Sequence, residues 1–278
     1  MGGGSWSSSS FESYTRSTGR TYDRKSGTVK GINNQNSFTR SFIHPSLDPK
    51  RMNGVRECVN TPEHPNTIPV ILALDVTGSM GEACEATVAA LGSIVSDLYD
   101  RYKDVEIMVM GIGDIEYDDA PIQISQFESD IRIAKHLDNI YLEKGGGCNE
   151  HESYTAAWYM GLHHTKLDCF DKQGRKGVII TMGDEPLNPI LPARQLSEFV
   201  GDNVQSNIYT KDLYEEVSKN FDVYHINIEH GYHSRDNSPL WKDIIGQNYI
   251  ESDVAGLKNA IVDCIKKTLG TEPVINHL

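Results

Sequence analysis

Seven consecutive residues, Ile68–Leu74, carry no polar side chain, and the run stops at Asp75. So short and so apolar a segment suits a strand buried on both faces, which is the situation inside a parallel sheet. Parallel strands need crossover connections, and the sequence supplies them. From Ile68 to Leu269, strand-like apolar segments alternate with helical ones. Asp75 is then expected at the carboxyl end of a central strand, the edge where open α/β sheets place ligands. Thr77 and Ser79 follow at alternating spacing. One carboxylate and two hydroxyls on a single strand-to-helix turn are hard oxygen donors. They suit Mg²⁺, Mn²⁺ or Ca²⁺ rather than zinc or copper.

The rest of the pattern fills in the layers. Val105–Ile112, Gly177–Met182 and Val223–Ile228 read as further buried strands. Ile122–Phe127 alternates and reads as an antiparallel or edge strand, and Tyr249–Ile250 as another edge. Ser79–Tyr102 reads as a long helix with Ala83, Thr87, Leu91, Ile94, Val95 and Leu98 on one face. Asp130–Ile140 and Glu150–His163 read as helices. A last helix runs from a cap at Asp253 to Leu269, with Gly270 as its stop. The fold class expected is α/β: a doubly wound, Rossmann-like three-layer sandwich around a mostly parallel central sheet of about six strands. The first turn, DVTGSMG, holds neither the dinucleotide fingerprint nor a phosphate-binding P-loop.

Residues 1–66 read differently. They open MGGGSWSSSS and stay rich in Ser, Thr, Gly, Asn and Arg, with no apolar period. Such a segment buries too little to offset its ordering entropy, so it reads as a flexible or partner-ordered arm before a domain over 67–278. Arg16, Arg20, Arg24, Lys25 and Lys30 make the arm basic against an acidic body. Charge attraction could lay it on that body or on a neighbouring subunit, which gives a route to self-association.

The chain carries 39 acidic and 26 basic residues, a formal net charge of -13. That balance repels phosphate backbones and anionic membranes, so neither nucleic acid nor membrane is an expected partner. No apolar run approaches the roughly 20 residues of a membrane helix. The five cysteines are scattered, odd in number and form no Cys-x-x-Cys, which reads as a reducing, cytoplasmic compartment. His230 and His233 with Glu229 lack a standard zinc spacing, and no Gly-x-Ser-x-Gly elbow is present.

LDVTGSMG resembles the first metal motif of von Willebrand factor A-type (vWA) domains, the integrin I-domain class, and its Thr-Gly-Ser-Met form is similar to that of the hemicentin and alpha-kinase-associated subgroup. The resemblance runs over about Pro69 to Leu269. It implies a metal-ion-dependent adhesion site at the carboxyl edge of a six-stranded sheet. The second motif matches GGGCNEHES, Gly145–Ser153. Cys148 stands where Thr or Asp is usual, so Asn149, or else Glu150, is the expected oxygen donor. Alternatively, Asn149 merely caps the next helix. The third motif matches IITMGDEP, where Met182 replaces the usual Asp and Asp184 follows two residues later, with Glu185 as the alternative. Asp114 and Glu116 follow the second strand and read as a solvated acidic loop, with a second cation as the sharper alternative.

The expected metal set is therefore Asp75, Thr77, Ser79, Asn149 and Asp184. The resemblance implies a non-enzymatic protein-binding module, an adhesion or scaffold domain, in which a partner's Asp or Glu completes the cation's shell. Two other classes compete: a Mg²⁺-dependent phosphohydrolase or phosphotransferase on the same sheet edge, and an assembly protein built through the arm. Against the enzyme, position 77 is Thr where aspartyl-phosphate hydrolases carry a second Asp.

Overall fold

The computed structural model describes residues 4–23, 28–30, 42–51, 55–143, 149, 151–229 and 237–270. In chain order its first elements are α1 (Ser8–Ser17), the short strands β1 (Thr21–Asp23), β2 (Thr28–Lys30) and β3 (Arg56–Cys58), then β4 (Ile68–Asp75), α2 (Gly81–Arg101), β5 (Val105–Ile112), β6 (Ile122–Ile124) and α3 (Arg132–Leu137). There follow α4 (Thr155–His163), β7 (Thr165–Leu167), α5 (Asp168–Gln173), β8 (Gly177–Gly183), β9 (Ile190–Leu191), α6 (Ala193–Phe199), β10 (Ile208–Tyr209), α7 (Thr210–Val217), β11 (Phe221–Ile228), α8 (Ser238–Ile245), β12 (Tyr249–Ser252) and α9 (Leu257–Leu269).

Six strands form the central sheet in the order β12-β11-β8-β4-β5-β6. Every neighbouring pair is parallel except β5 with β6, which is antiparallel at the edge. The α/β, mostly parallel, three-layer arrangement expected from the alternation is thus the one adopted. β4 is fully buried, and its side chains alternate between two cores. Val70, Leu72 and Leu74 face a core shared with α2, α3 and α9, whereas Ile71 and Ala73 face one shared with α4, α6, α7 and α8. The inner face expected for α2 is the buried one, and that of α9 is Leu257, Ile261, Cys264 and Ile265.

Element ends differ from the sequence reading for local reasons. α4 begins at Thr155 rather than near Glu150, because residues 152 and 153 are held by neighbouring loops. Glu152 N–H donates to the Pro186 carbonyl, and Ser153 N–H to that of Gly113. α9 starts at Leu257, since Asp253 Oδ1 accepts from Gly256 N–H and closes a turn ahead of the helix. β6 is shorter than Ile122–Phe127.

Of the first 66 residues, read from sequence as a flexible or partner-ordered arm, Trp6, Phe11, Tyr14, Tyr22 and Leu47 pack on the core of the α2–α3 side, whereas Cys58 packs into the core of the α4 side. Ser7 caps α1 by accepting from Ser10 N–H at 3.1 Å. Trp6 and Phe11 are buried in the core of α2 and α3, and Trp6 Nε1 donates to Ser96 Oγ at 2.9 Å. Gly92 makes this seat possible, because a Cβ there would come within 2.7 Å of the Phe11 ring. Charge contributes too: Arg20 pairs with Asp138, which also accepts from the Tyr14 hydroxyl at 2.7 Å. Leu47 is buried, and its carbonyl accepts from Ile124 N–H on edge strand β6. β3 pairs in parallel with β7, which joins residues 56–58 to the α4–α5 connection.

Candidate functional site

Among the sheet strands, β4 and β8 are neighbours whose onward connections leave toward opposite ends of the sheet. This is the topological switch point, where the chain opens a crevice at the carboxyl ends of the strands. Asp75 ends β4, and Asp184 directly follows β8. The two carboxylates therefore come from separate strands to one crevice.

Between them lie the hydroxyls of the first turn. Thr77 donates to Asp75 Oδ1 twice, from its N–H at 2.9 Å and from its Oγ1 at 2.6 Å. Ser79 Oγ donates to Asp184 Oδ1 at 3.2 Å. The two hydroxyl oxygens stand 3.0 Å apart. Each hydroxyl owns one proton. With both carboxylates ionised, the three contacts Asp75–Thr77, Thr77–Ser79 and Ser79–Asp184 share two hydroxyl protons, so one of the three stands without a proton, and either hydroxyl can donate across the Thr77–Ser79 contact. Ser79 is no helix cap: the cap position of α2 is Met80, which makes no side-chain capping bond.

The second Asp75 oxygen, Oδ2, accepts from the Tyr154 hydroxyl at 2.7 Å. Tyr154 also accepts from Glu185 N–H at 3.3 Å. This close packing depends on Gly183: a Cβ there would stand 2.8 Å from Asp75 Oδ2 and nearer still to the Tyr154 hydroxyl. The β8 loop is held from the far side as well, by Asn237 Nδ2 donating to the Asp184 carbonyl at 2.7 Å and Trp241 Nε1 to that of Glu185 at 3.3 Å.

The electrostatics are one-sided. Burial, and then the charge of Asp184, push the Asp75 carboxyl up to about 7, against the pull of the Thr77 and Tyr154 donors. Glu152 is raised to about 11 by burial and by the charges of Asp75, Asp118 and Asp114. Asp118 is raised to about 6, chiefly by burial. The Tyr154 hydroxyl is pushed well up by burial and the Asp75 charge. Carboxylates crowded in this way gain from a cation.

Four of the five expected residues, Asp75, Thr77, Ser79 and Asp184, are thus joined in one hydrogen-bonded chain. Asn149 is outside it. Asn149 is half-buried, its Nδ2 is buried with no hydrogen-bond partner, and it lies well ahead of α4, so it is not that helix's cap. Cys148, Glu150, the glycines 145–147, His230 and His233 lie outside the described residues. The loop after β5 is folded inward rather than solvated at Asp114. Its N–H donates to Asp118 Oδ2, its Oδ1 accepts from Glu116 N–H, and its Oδ2 is buried without a partner. Tyr154, Gly183 and Asn237 shape the crevice without having been singled out as site residues in the sequence. In the sequence Tyr154 falls within the expected Glu150–His163 helix and reads there as a core aromatic.

No cluster of three or more His, Cys, Asp or Glu side chains among the described residues is arranged to hold a metal. A cation here would rest on two carboxylates and two hydroxyls. Such a donor set fits a hard divalent ion, and the proton-short run from Asp75 to Asp184 is where positive charge is wanted.

No protein-family model matches the chain, and no curated protein matches it. Solved structures do align with it. The pilus adhesin SpaC of Lactobacillus rhamnosus GG, in its open conformation, matches over 75% of this chain and 31% of its own, at 13% identity and a TM-score of 0.49. Another crystal form of SpaC gives 75%, 32%, 14% and 0.48. The vWF domain of Mfa5, a type V pili tip protein of Porphyromonas gingivalis, matches over 76% of this chain and 98% of its own, at 12% identity and 0.48. The chain spans about a third of the SpaC structures. Likeness at this level carries no inference about what the chain binds.

Proposed function

We propose that this chain is a non-catalytic, cation-dependent protein-binding module of vWA type, of the Asp-Val-Thr-Gly-Ser-Met subgroup. Asp75, Thr77, Ser79 and Asp184 hold Mg²⁺, or Mn²⁺ or Ca²⁺, with Asn149 as a further oxygen donor. A partner protein's Asp or Glu completes the shell. The observation that carries this reading is the run of three contacts from Asp75 through Thr77 and Ser79 to Asp184, with only two hydroxyl protons among them when both carboxylates are ionised. A divalent ion supplies the charge that this arrangement lacks. Because two of its ligands are neutral hydroxyls, the ion keeps enough charge to attract an outside carboxylate. Tyr154 and Gly183 fix the position of Asp75, and Asn237 fixes the backbone of Asp184.

No helix among the described residues is long and apolar enough to cross a membrane. Cys58, Cys169 and Cys264 are free thiols. Cytoplasmic residence, in a reducing compartment, belongs to this proposal.

The test is thermal unfolding of the full chain with EDTA and then with saturating Mg²⁺. A ligand at about 100 times its dissociation constant contributes about 2.7 kcal/mol, which should raise the melting temperature by roughly 5 °C. Asp75→Ala should remove that rise. If Mg²⁺, Mn²⁺ and Ca²⁺ all leave wild type unmoved, or if the variant keeps the full rise, the reading fails.

A further inference from the structure

At the opposite edge of the sheet, where the parallel strands begin, a cavity of about 70 Å³ opens between elements that have no part in the crevice just described. Its walls are Ile68 at the start of β4, Tyr102, Lys103 and Asp104 ahead of β5, Arg175 ahead of β8, and Leu269 at the end of α9. Two cations face it. Arg175 spends one guanidinium N–H on Gln173, Nε to Oε1 at 2.6 Å. Its Nη2 is buried and has no hydrogen-bond partner. A buried donor left unmet costs free energy, more so when it is charged. Lys103 is exposed and makes no ion pair among the described residues. In a chain of net charge -13, two unpaired cations on one cavity are out of balance with their surroundings.

The single acid among the described wall residues is already engaged. Asp104 Oδ2 accepts from Asn66 N–H at 3.2 Å, and its Oδ1 stands 3.5 Å from His64 Nδ1. Its charge nonetheless weighs against a dianion such as phosphate. Ile68, the Tyr102 ring and Leu269 give the cavity an apolar side. The enclosed part has the volume of about two waters, room for a carboxylate, and it opens to solvent, where a short alkyl group extends over the apolar wall.

We propose that this cavity binds a small aliphatic carboxylate. The Arg175 guanidinium, whose closed-off Nη2 turns toward the cavity on binding, takes the carboxylate oxygens. Lys103 adds charge at the mouth, and the alkyl group lies on Ile68, Tyr102 and Leu269. The site is independent of the cation crevice: it shares no residue with it and sits at the other end of the strands.

The probe is isovalerate, titrated into the full chain and followed by ligand-observed saturation-transfer NMR. EDTA is present throughout, so that no cation at the crevice offers a second place for a carboxylate. A ligand of this size should bind with a dissociation constant on the order of a millimolar. Arg175→Gln should weaken it about tenfold by removing a charge-assisted pair. Lys103→Gln should weaken it only about twofold, since that ammonium is solvated. Asp75→Asn should change nothing. Isoamyl alcohol, which keeps the alkyl group and lacks the charge, should not bind measurably. The proposal is overturned if wild type shows no saturable binding, if Arg175→Gln binds equally well, if the alcohol matches the acid, or if inorganic phosphate binds more tightly than isovalerate. Loss of binding in Asp75→Asn would also overturn it, by moving the carboxylate to the other edge.

Discussion

The crevice at Asp75 and the seat of the N-terminal segment on α2 and α3 are held together by opposite means. The crevice is polar and short of positive charge, with two carboxylates bridged by hydroxyls and backed by further buried acids. The seat is mainly apolar, with Trp6 and Phe11 buried, one buried hydrogen bond from Trp6 to Ser96, and the Arg20 and Tyr14 contacts to Asp138 only partly buried. The crevice should therefore respond to cations and pH, and the seat to lost side-chain volume. The difference also explains what each region gave away in its sequence. A functional turn at the end of an apolar run has a fixed position relative to that run. An anchor made of one Trp and one Phe has no period to betray it.

The comparison can be broken most sharply at Trp6. Trp6→Ala should cost about 3 kcal/mol, the low end for a buried Trp, because the segment can detach before the domain unfolds. Urea unfolding would measure it, and the loss should be the same with EDTA and with Mg²⁺. A loss that Mg²⁺ repairs would tie the seat to the crevice and dissolve the distinction. Gly183→Ala is next, at about 2–3 kcal/mol, since its methyl must displace Asp75 or Tyr154. Here the Mg²⁺ response should fall together with stability.

A pH series sharpens the contrast further. Asp75 has a folded-state pKa raised from its ordinary 3.8 to about 7. Its protonated form is the one the fold tolerates, so its contribution is fully present below about pH 4 and is lost as pH rises through 7. Glu152 and Asp118 are raised as well and act in the same direction. In EDTA the protein should be less stable at pH 8 than at pH 5, Mg²⁺ should narrow the gap, and Asp75→Asn should reduce it. Stability that climbs from pH 5 to 8 in EDTA would contradict this account of the crevice. The smallest effect is expected at Ser7→Ala, about 1 kcal/mol confined to α1, which hydrogen exchange of that helix would show.

The central sheet was legible because parallel strands buried on both faces must be largely apolar: Ile68–Leu74 is wholly so, and Val105–Ile112 and Gly177–Met182 carry one polar residue each, Glu106 and Thr181. Asp184 could be found despite Met182 in the usual acidic position, because distance from the strand end, rather than an exact motif, decides whether a carboxylate reaches the rim. Tyr154 could not, since an aromatic at helical spacing reads as core until its hydroxyl is seen on Asp75. The late start of α4 was hidden as well: the bonds that hold Glu152 and Ser153 come from Pro186 and Gly113, remote in the chain. α1 was masked by its composition. Ser7 is one of five serines among residues 5–10, and nothing local marks it as the cap.

The pairing of β3 with β7 bears on how the molecule can be trimmed. A fragment beginning at Ile68, the first residue of the central sheet, would strip the partner from Thr165–Leu167 and remove Cys58 from the core it shares with Cys169. It would be left with an unpaired strand edge open to other chains. Fragments meant for crystallisation or surface display should retain residues 55–60, and those cut closer should clump in solution before they report on binding.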